Sequence, residues 1–364
     1  MIAHNEALQE LLDQLSACDR IALDTEADSL HCYFEKVCLI QVGAAGNNWL
    51  VDPLSGLELQ ALFDVVCSRR LVFHGADYDL RLLRRVGRFE PVDLFDTMIA
   101  ARLCGKAALG LAALVEERFG ITLSKASQKA NWAIRPLPSE MVEYALNDTR
   151  YLFEIADDLE SELRRLERWD WFLESRDRMI ATTREVKERD DNTVWRISGS
   201  SALSPRAQAI LRVLWFWRDS EAKGWDRPPF HVIGNEDMLR VASQAAEGGA
   251  YSTPRMNGRR RKSFDVVLAL ALQIPEAEWP KIEKVKRKRV SKEQIDRCEA
   301  LKKIRDRVAG DLKLDPSIIA PRAALEATAA DINATALMNW QRQLLDLPPV
   351  SNVSLPSQGL LPGL

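Results

Sequence analysis

The chain has 364 residues, of which 46% are hydrophobic and 28% are charged, and its formal net charge is -3. These values are typical of globular, core-forming protein, and the length favours two or three domains over a single one. The small net charge does not exclude a polyanionic partner, because basic residues cluster between Arg255 and Arg289 whereas acidic residues are spread widely.

Cysteine usage and hydropathy exclude several classes of protein. The six cysteines form no C-x-x-C pair and no dense framework, which indicates reduced thiols and argues against a zinc site. The N-terminus, MIAHNEALQELLDQL, predicts an amphipathic helix and lacks the basic start of a signal peptide. No apolar stretch reaches the roughly 20 residues that span a bilayer. We therefore expect a soluble, cytoplasmic protein that does not engage membranes.

The first predicted strand is residues 21–28, IALDTEAD. Side chains alternate between the two faces of a strand, so Asp24 and Glu26 share one face. Apolar residues on both sides of Asp24 place this strand inside a sheet, where unpaired carboxylates are costly and a metal cation is a common remedy. The pattern therefore predicts two metal ligands and raises the question of where the others lie.

The next elements in the chain predict a mixed α/β region with a helical end. We expect strands at residues 36–43 and 48–51, which with the first strand suggest an antiparallel meander, and a helix at 59–67. A buried strand at 71–74 leads into a helix at 77–86. Helices are then expected near 96–103, 109–119 and 139–166.

The segment HGADYDLRLLRRVG offers a third carboxylate. On a helix, Asp79 lies on the apolar stripe with Leu82, Leu83 and Val86, so it is the better candidate ligand. Asp77 occupies the position of an N-cap, and capping is the favoured interpretation over metal binding. Asp96 is likewise expected to cap a helix, and His74, at the end of a buried strand, is expected to be hydrogen-bonded structure.

The segment PLPSEMVEYALNDTRYLFEI supplies the last two candidates. Ser139 is predicted to be an N-cap, and Tyr144 and Asp148 are four residues apart, so they project from one side of the same helix. Y-x-x-x-D alone is a weak signal, because tyrosine and aspartate occur often at this spacing. Combined with D-x-E on a strand and Asp79 on an apolar helix face, it becomes a strong one.

These three motifs, LDTEAD, FHGADYDL and EYALNDTRYL, resemble those of the ribonuclease D family of DEDD exonucleases, over about the first 165 residues. The second and third are also similar to the nuclear exosome's 3'-5' exonuclease. The resemblance implies an α/β RNase H-like fold, a mixed sheet flanked by helices. It also implies that Asp24, Glu26, Asp79 and Asp148 bind two divalent cations, and that Tyr144 orients the attacking water.

Oxygen-only ligands suit hard cations, so Mg²⁺ or Mn²⁺ is expected. A related DEDD group has histidine five residues before the last aspartate, but position 143 here is Glu, so the chain is of the tyrosine type. Two positions depart from the usual ribonuclease D pattern: Ala27 replaces an aromatic residue, and Asn131 replaces the aspartate of a D-W pair. Tyr33 or Phe34 could supply the missing aromatic contact to the terminal base.

Residues 1–168 are therefore predicted to form the exonuclease domain and 169–202 a helical extension and linker. Beyond the linker the sequence repeats with an offset of roughly ninety residues, pairing Arg218 with Arg307 and Pro229 with Pro316. Both copies resemble HRDC modules, all-α bundles associated with nucleic-acid binding. The predicted modules span 203–285 and 286–347, and the Pro-, Ser- and Gly-rich residues 348–364 are expected to be a mobile tail.

Basic residues in the first repeat are candidate phosphate contacts: Arg259, Arg260, Arg261 and Lys262, together with the run 284–289. A solvated surface is the competing interpretation. Three tryptophans of the same repeat could stack on bases, although core packing is favoured for the two within the apolar segment VLWFWR. The three are Trp215, Trp217 and Trp225.

The predicted function is that of a metal-dependent 3'-5' exoribonuclease that releases 5'-mononucleotides. The expected partner is RNA with a free 3' end, such as transfer RNA precursors or small structured RNA, and the expected state is a monomer. Two alternatives remain open. One is a 3'-5' DNA exonuclease, because the same four carboxylates serve enzymes that act on DNA and no residue contacting a 2'-OH can be located. The other is an inactive nucleic-acid-binding scaffold.

Overall fold

The structure, a computed structural model, describes residues 1–185, 188–249, 251–252, 255–281 and 290–350. Within these residues the contacts form two units. One contains residues 1–26, 37–185 and 290–350, and the other contains residues 27–36 and 188–281. In the described part of the chain, no helix is both long enough and apolar enough to cross a membrane.

The first unit is built on a five-stranded sheet of order β3-β2-β1-β4-β5. Strands β2 and β3 are antiparallel, whereas β4 is parallel to both β1 and β5. The strands are β1 (Arg20–Ala27), β2 (Val37–Ala44), β3 (Asn47–Val51), β4 (Arg70–Phe73) and β5 (Asp93–Asp96). Every residue of β2 is buried, as expected of a strand covered on both faces.

Along the chain, the helices of the first unit lie before, between and after the five strands. They are α1 (Asn5–Ser16), α2 (Leu59–Cys67), α3 (Asp77–Leu83), α4 (Thr97–Cys104), α5 (Leu111–Phe119), α6 (Ser139–Arg150), α7 (Leu152–Arg165), α8 (Trp169–Thr183), α12 (Lys292–Leu312), α13 (Pro316–Ile319), α14 (Arg322–Ala330) and α15 (Asn339–Leu344). The second unit contains α9 (Pro205–Trp225), α10 (Asn235–Ala246) and α11 (Gly258–Leu272). The predicted fold class, a mixed sheet with flanking helices followed by helical segments, is confirmed.

One predicted helix is wrong, and one strand was not predicted. The single helix expected at 139–166 is two helices, α6 and α7, because the backbone at Tyr151 leaves the helical region with φ -109° and ψ 2°. This break lets α6 lie on β2 and β3 while α7 packs on α4 and β4. Strand β5 was not predicted, since four residues, DLFD, are too few to show an alternating pattern.

The buried carboxylate of Asp96 joins the start of α4 to the turn before α3. As predicted it caps α4, accepting hydrogen bonds from the backbone N–H groups of Met98 (2.8 Å) and Ile99 (3.1 Å). It also accepts from the N–H groups of Gly75 (3.1 Å) and Ala76 (2.8 Å), which precede α3. Asp96 therefore fixes where α3 begins, and α3 carries a candidate metal ligand.

The other predicted caps are not observed. The N-cap position of α3 is Ala76, and Asp77 instead pairs with Arg81 one turn later at 3.1 Å. Helix α6 begins at Ser139 itself, after Pro138, with no side-chain cap. His74 is hydrogen-bonded structure, as expected: its Nδ1 lies 2.9 Å from Thr97 Oγ1.

The two helical repeats share their backbone plan. Helices α9 and α12 each have 21 residues and end at a residue in the left-handed conformation, Asp226 or Lys313. A short turn that starts with proline follows in both copies, at Pro229–His231 and Pro316–Ile319. The assignment of these copies to HRDC modules, and the domain boundaries at 168, 202, 285 and 347, stay predictions.

Each helical copy has its own apolar core. In the first copy, Trp215 and Trp217 are buried as predicted, and the Trp217 ring contacts Phe264 with 5.2 Å between centroids. Trp225 is 48% exposed and lies outside this core. The core of the second copy includes Leu301, Ile319, Leu325 and Leu337.

Replacing Asp96 by Ala leaves the four backbone N–H groups without their shared acceptor, so we expect a loss of about 2 to 4 kcal/mol in the free energy of unfolding. Thermal unfolding of the metal-free protein measures this. Asp77→Ala removes an exposed ion pair on the adjacent helix and serves as the control, with an expected change of about 0.5 kcal/mol or less. Equal effects of the two variants would contradict the role given to Asp96.

Candidate active site

Strand β1 and helix α6 bring three acidic side chains together. Carboxylate oxygens of Asp24, Glu26 and Asp148 all lie within 4.8 Å of one another. Asp24 and Glu26 project from the same face of β1, as the alternation of a strand requires, and α6 packs against β2 and β3. Three of the four candidate ligands thus meet in space although they are far apart in sequence.

The fourth candidate, Asp79, lies at the start of α3, immediately after β4, the strand that neighbours β1. It is outside the group of three defined by mutual distance. Among the acidic neighbours of Asp24, however, Asp79 is the one whose charge raises the pKa of Asp24 most. Its side chain is 5% exposed, and its Oδ1 accepts a hydrogen bond from the hydroxyl of Thr25 at 2.5 Å. Asp79 is therefore held beside the group with one oxygen engaged.

Thr25 was not singled out from the sequence. It stands between the two acidic residues of the D-x-E motif, so its side chain points to the opposite face of β1. A buried hydroxyl at that position needs a hydrogen-bond partner, and this need was the available signal. The structure shows the partner to be Asp79.

Burial raises the pKa of all four carboxyl groups, and repulsion from acidic neighbours in the site adds to the effect at Asp24, Glu26 and Asp148. The pKa of Glu26 rises to about 9, first because the group is buried and then because of the charges of Asp148 and Asp79. Burial and the charge of Asp79 raise the pKa of Asp148 to about 7. Burial also raises the pKa of Asp79 to about 6, and burial with three acidic neighbours holds the pKa of Asp24 well above its usual value.

The donor set fits a divalent cation. The charged groups that shift the pKa values of Glu26 and Asp148 are themselves carboxylates. They add negative charge to the cluster and do not neutralise it. A bound cation reverses this effect, because it stabilises the ionised form of every carboxylate around it. Oxygen-only donors select hard ions such as Mg²⁺ and Mn²⁺ over softer metals.

Tyr144 lies one helical turn before Asp148 on α6. Burial, followed by the charges of Asp148, Glu26 and Asp24, raises the pKa of its phenol. The group is therefore a neutral O–H at physiological pH, able to donate one hydrogen bond and to accept others. Its ring lies 5.9 Å from that of Trp132, measured between centroids.

The segment before α6 holds the helix in place. Arg135 donates to both carboxylate oxygens of Asp52, at 2.6 and 2.7 Å, and to the carbonyl oxygen of Cys38 at 2.7 Å. Trp132 is 1% exposed, in a core shared with β2, β3 and α6. The Asn131 side chain, at one of the two positions that depart from the expected motif, accepts from the N–H of Ala133 at 3.1 Å and so closes a local turn.

A cavity of about 450 Å³ opens beside Tyr144 and Asp148. Hydroxyl, amide and carboxylate groups from α6 and from the loop before it contribute to its lining. The lining residues are Leu123, Ser124, Ala126, Ser127, Ser139, Glu140, Glu143, Tyr144, Asn147 and Asp148. This volume is within the range of small-molecule sites.

The segment after β1, residues 27–36, belongs to the second unit. The Tyr33 hydroxyl donates to Asp219 at 3.0 Å, and its ring packs on the core of the first helical copy. The backbone N–H groups of Tyr33 and Phe34 both donate to Asp226, each at 3.0 Å. Tyr33 and Phe34 are the two residues that could supply the aromatic contact absent at Ala27. Tyr33 packs within the second unit, whereas Phe34 is 52% exposed.

The four basic candidate residues lie at the start of α11 and differ in their surroundings. The Arg260 guanidinium lies over the Trp225 ring, 4.4 Å from its centroid, and Arg261 pairs with Asp265 at 2.9 Å. Arg259 and Lys262 are exposed. The second basic run, 284–289, lies outside the described residues.

Comparison with known proteins identifies the family. The sequence model of a 3'-5' exonuclease family matches residues 1–164. A ribonuclease D of Xanthomonas oryzae pv. oryzae is 31% identical over 93% of this chain and 94% of the relative. Ribonuclease D of Bartonella henselae is 27% identical over 94% of this chain and 87% of the relative.

Solved structures agree with the sequence comparison. The crystal structure of Escherichia coli RNase D, described as an exoribonuclease involved in structured RNA processing, superposes with a TM-score of 0.68 at 26% identity. The match covers 97% of this chain and 92% of the other. A Bifidobacterium adolescentis protein shares the fold with a TM-score of 0.80 at 24% identity, over 95% and 94% of the two chains. The acidic cluster and these likenesses together place the chain in the ribonuclease D family of metal-dependent enzymes, as a 3'-5' exoribonuclease.

Proposed function

We propose that Asp24, Glu26, Asp79 and Asp148 hold two divalent cations, Mg²⁺ or Mn²⁺, and that Tyr144 orients the water that attacks the 3'-terminal phosphodiester. The observation that carries this proposal is the meeting of three carboxylates within 4.8 Å beside a neutral phenol. Such a cluster is unfavourable unless a cation compensates it. The expected products are 5'-mononucleotides.

The side chains have separable roles in this scheme. When bound, the cations supply an acidified water and neutralise charge on the attacking and leaving oxygens. Asp24, Glu26 and Asp148 provide oxygen ligands from two rigid elements. Thr25 fixes the rotamer of Asp79 by donating its hydroxyl proton to Oδ1. The Tyr144 hydroxyl keeps its proton and therefore acts by positioning the water rather than by deprotonating it.

The cavity beside Tyr144 and Asp148 is the proposed place of the terminal nucleotide. It borders two catalytic candidates, and its serine hydroxyls and the amide of Asn147 can hydrogen-bond a ribose or a base. Phe34, the exposed aromatic residue of the segment after β1, is the proposed substitute for the aromatic residue missing at Ala27.

The proposed substrates are transfer RNA precursors and other small structured RNAs, processed by a monomer. The similarity to Escherichia coli RNase D, described as acting in structured RNA processing, favours this class. The same similarity favours RNA over DNA, and the presence of all five motif residues argues against an inactive scaffold. A time course on matched 5'-labelled RNA and DNA, with and without Mg²⁺, tests the preference for RNA and the presence of metal-dependent activity. Shortening from the 3' end only, on RNA and only with the cation, is expected.

In this assay Asp24→Asn, Glu26→Gln, Asp79→Asn and Asp148→Asn should each abolish detectable cleavage, because each removes a charged ligand. Tyr144→Phe should slow cleavage by about 10²-fold or less, since all four carboxylates remain and only the position of the water is lost. Single-turnover rates on a short RNA measure the difference. A loss for Tyr144→Phe as complete as that for Asp24→Asn would contradict the orienting role.

The metal-free protein should lose stability as pH rises from about 5 to 9. The carboxyl groups of Asp148 and Glu26 have folded pKa values of about 7 and about 9. Their unfolded values are roughly 4, so in this interval the folded state binds more protons than the unfolded state, and a rise in pH favours unfolding. Mn²⁺ should restore the lost stability, because it binds the ionised carboxylates of the folded state.

Melting temperatures in EDTA and in Mn²⁺ across this pH range provide the measurement. Asp148→Asn should show a shallower decline than wild type, whereas Glu143→Gln, at an exposed position of the same helix, should follow wild type. Parallel curves for wild type and Asp148→Asn would mean that the cluster does not repel as described.

Arg259 and Lys262 are proposed to bind RNA phosphates. Replacing both by Ala should weaken binding and reduce the slope of log K against log salt by roughly 0.7 for each phosphate that is no longer neutralised. Fluorescence anisotropy on a labelled RNA at several salt concentrations measures the slope. The control is Lys106→Ala with Arg165→Ala, which removes the same charge from the first unit. An identical change in slope for this control would contradict the proposal that α11 contacts RNA.

A further inference from the structure

The side-chain amide of Gln41 is an anomaly in the middle of the sheet. Gln41 lies in β2 and is 0% exposed, and among the described residues neither its Oε1 nor its Nε2 has a hydrogen-bond partner. Buried amides are nearly always paired, so an amide with both ends unpaired calls for an explanation. An apolar residue of the same size would avoid the free-energy cost of burying an amide without hydrogen bonds.

The position of Gln41 follows from its neighbours on β1 and β2, which are adjacent strands. A Cβ atom at Gly43 would lie 3.3 Å from the Cβ of Ala22, so these two residues are side by side on one face of the sheet. The connection, residues 28–36, is shorter than the crossover of about a dozen residues that parallel strands require. The two strands are therefore antiparallel.

In an antiparallel pair with Ala22 beside Gly43, the next residues on that face are Asp24 and Gln41. On its other side Gln41 is paired with Leu50 of β3. Helix α6 covers this face, because the Cβ of Thr149 also lies 3.3 Å from a Cβ at Gly43. Gln41 thus lies between Asp24 of β1 and Leu50 of β3, on the face of the sheet that is covered by α6, the helix that carries Asp148.

We propose that Gln41 is a positioning residue of the metal site, whose Nε2 donates a hydrogen bond to the carboxylate of Asp24 when the cations are bound. The amide has two N–H donors, and an ionised carboxylate only accepts, so the pair is complementary. Hydrogen bonds of this kind fix the orientation of a metal-binding group and are worth about 10- to 100-fold in metal affinity. This inference rests on the metal site proposed above.

Gln41→Met tests the proposal, because it keeps an unbranched side chain of similar length without the amide. Isothermal titration of the whole protein with Mn²⁺ alone should give about tenfold or more weaker binding than wild type. The melting temperature in EDTA should stay equal or rise, since the unpaired buried amide is gone. The Mg²⁺ concentration for half-maximal cleavage should rise more than the saturated rate falls.

Two controls give each outcome one meaning. Gln208→Leu removes a buried amide of the second unit, which donates to the carbonyl of Leu203 at 3.2 Å, and should lower the melting temperature without changing Mn²⁺ affinity. Asp24→Asn should lose Mn²⁺ binding. If wild type itself binds no Mn²⁺, the proposed metal site fails and this inference fails with it.

If wild type binds Mn²⁺, Asp24→Asn does not, and Gln41→Met binds as wild type does, only the role of Gln41 is overturned. A lower melting temperature with unchanged Mn²⁺ affinity overturns it as well, because that pattern is the one expected of Gln208→Leu. Gln41→Leu, with the same expected results, is the second variant should Gln41→Met not fold.

Discussion

The repulsion among buried carboxylates at the end of β1 is the constraint on which the rest of the structure depends. Asp24, Glu26 and Asp148 approach within 4.8 Å, and burial together with like charge raises the pKa of each. A flexible protein would separate such groups. Here strand β1 lies inside a five-stranded sheet and α6 is fixed by the Arg135 contacts and the Trp132 core, so the groups cannot move apart. The scaffold thus holds together an unfavourable arrangement that a bound divalent cation would stabilise.

Asp96 and Thr25 act on this cluster indirectly, through the position of Asp79. Asp96 holds the turn before α3 through Gly75 and Ala76, and thereby sets where Asp79 stands. Thr25 then fixes the carboxylate of Asp79 by a hydrogen bond. Such chains of contacts are the usual way in which a fold orients metal ligands, and they explain why residues that touch no substrate belong to the site. The family resemblance alone would have indicated the ligands without indicating these supports.

The sequence predicted the chemistry better than the geometry. The D-x-E alternation, the apolar stripe that includes Asp79 and the four-residue spacing of Tyr144 and Asp148 are local patterns, and local periodicity is what a single sequence shows well. The break at Tyr151 and the short strand β5 were missed because both are set by packing against distant elements. The cap at Asp77 was wrong because α3 begins one residue earlier than a cap there requires: Ala76 is at the N-cap position, and the Asp77 carboxylate pairs with Arg81.

The small residues at the crossing of α6 and the sheet determine how closely the helix approaches the strands. A Cβ atom at Gly43 would lie 3.0 Å from Asn48 Oδ1 and 3.3 Å from the Cβ atoms of Ala22 and Thr149, which is closer than ordinary van der Waals contact. This lack of bulk lets the helix backbone settle close to the strands, and the distance of that approach sets the width of the gap between the acids of β1 and Asp148. A bulkier residue at position 43 would push α6, and with it Asp148, away from the strand that carries Asp24 and Glu26.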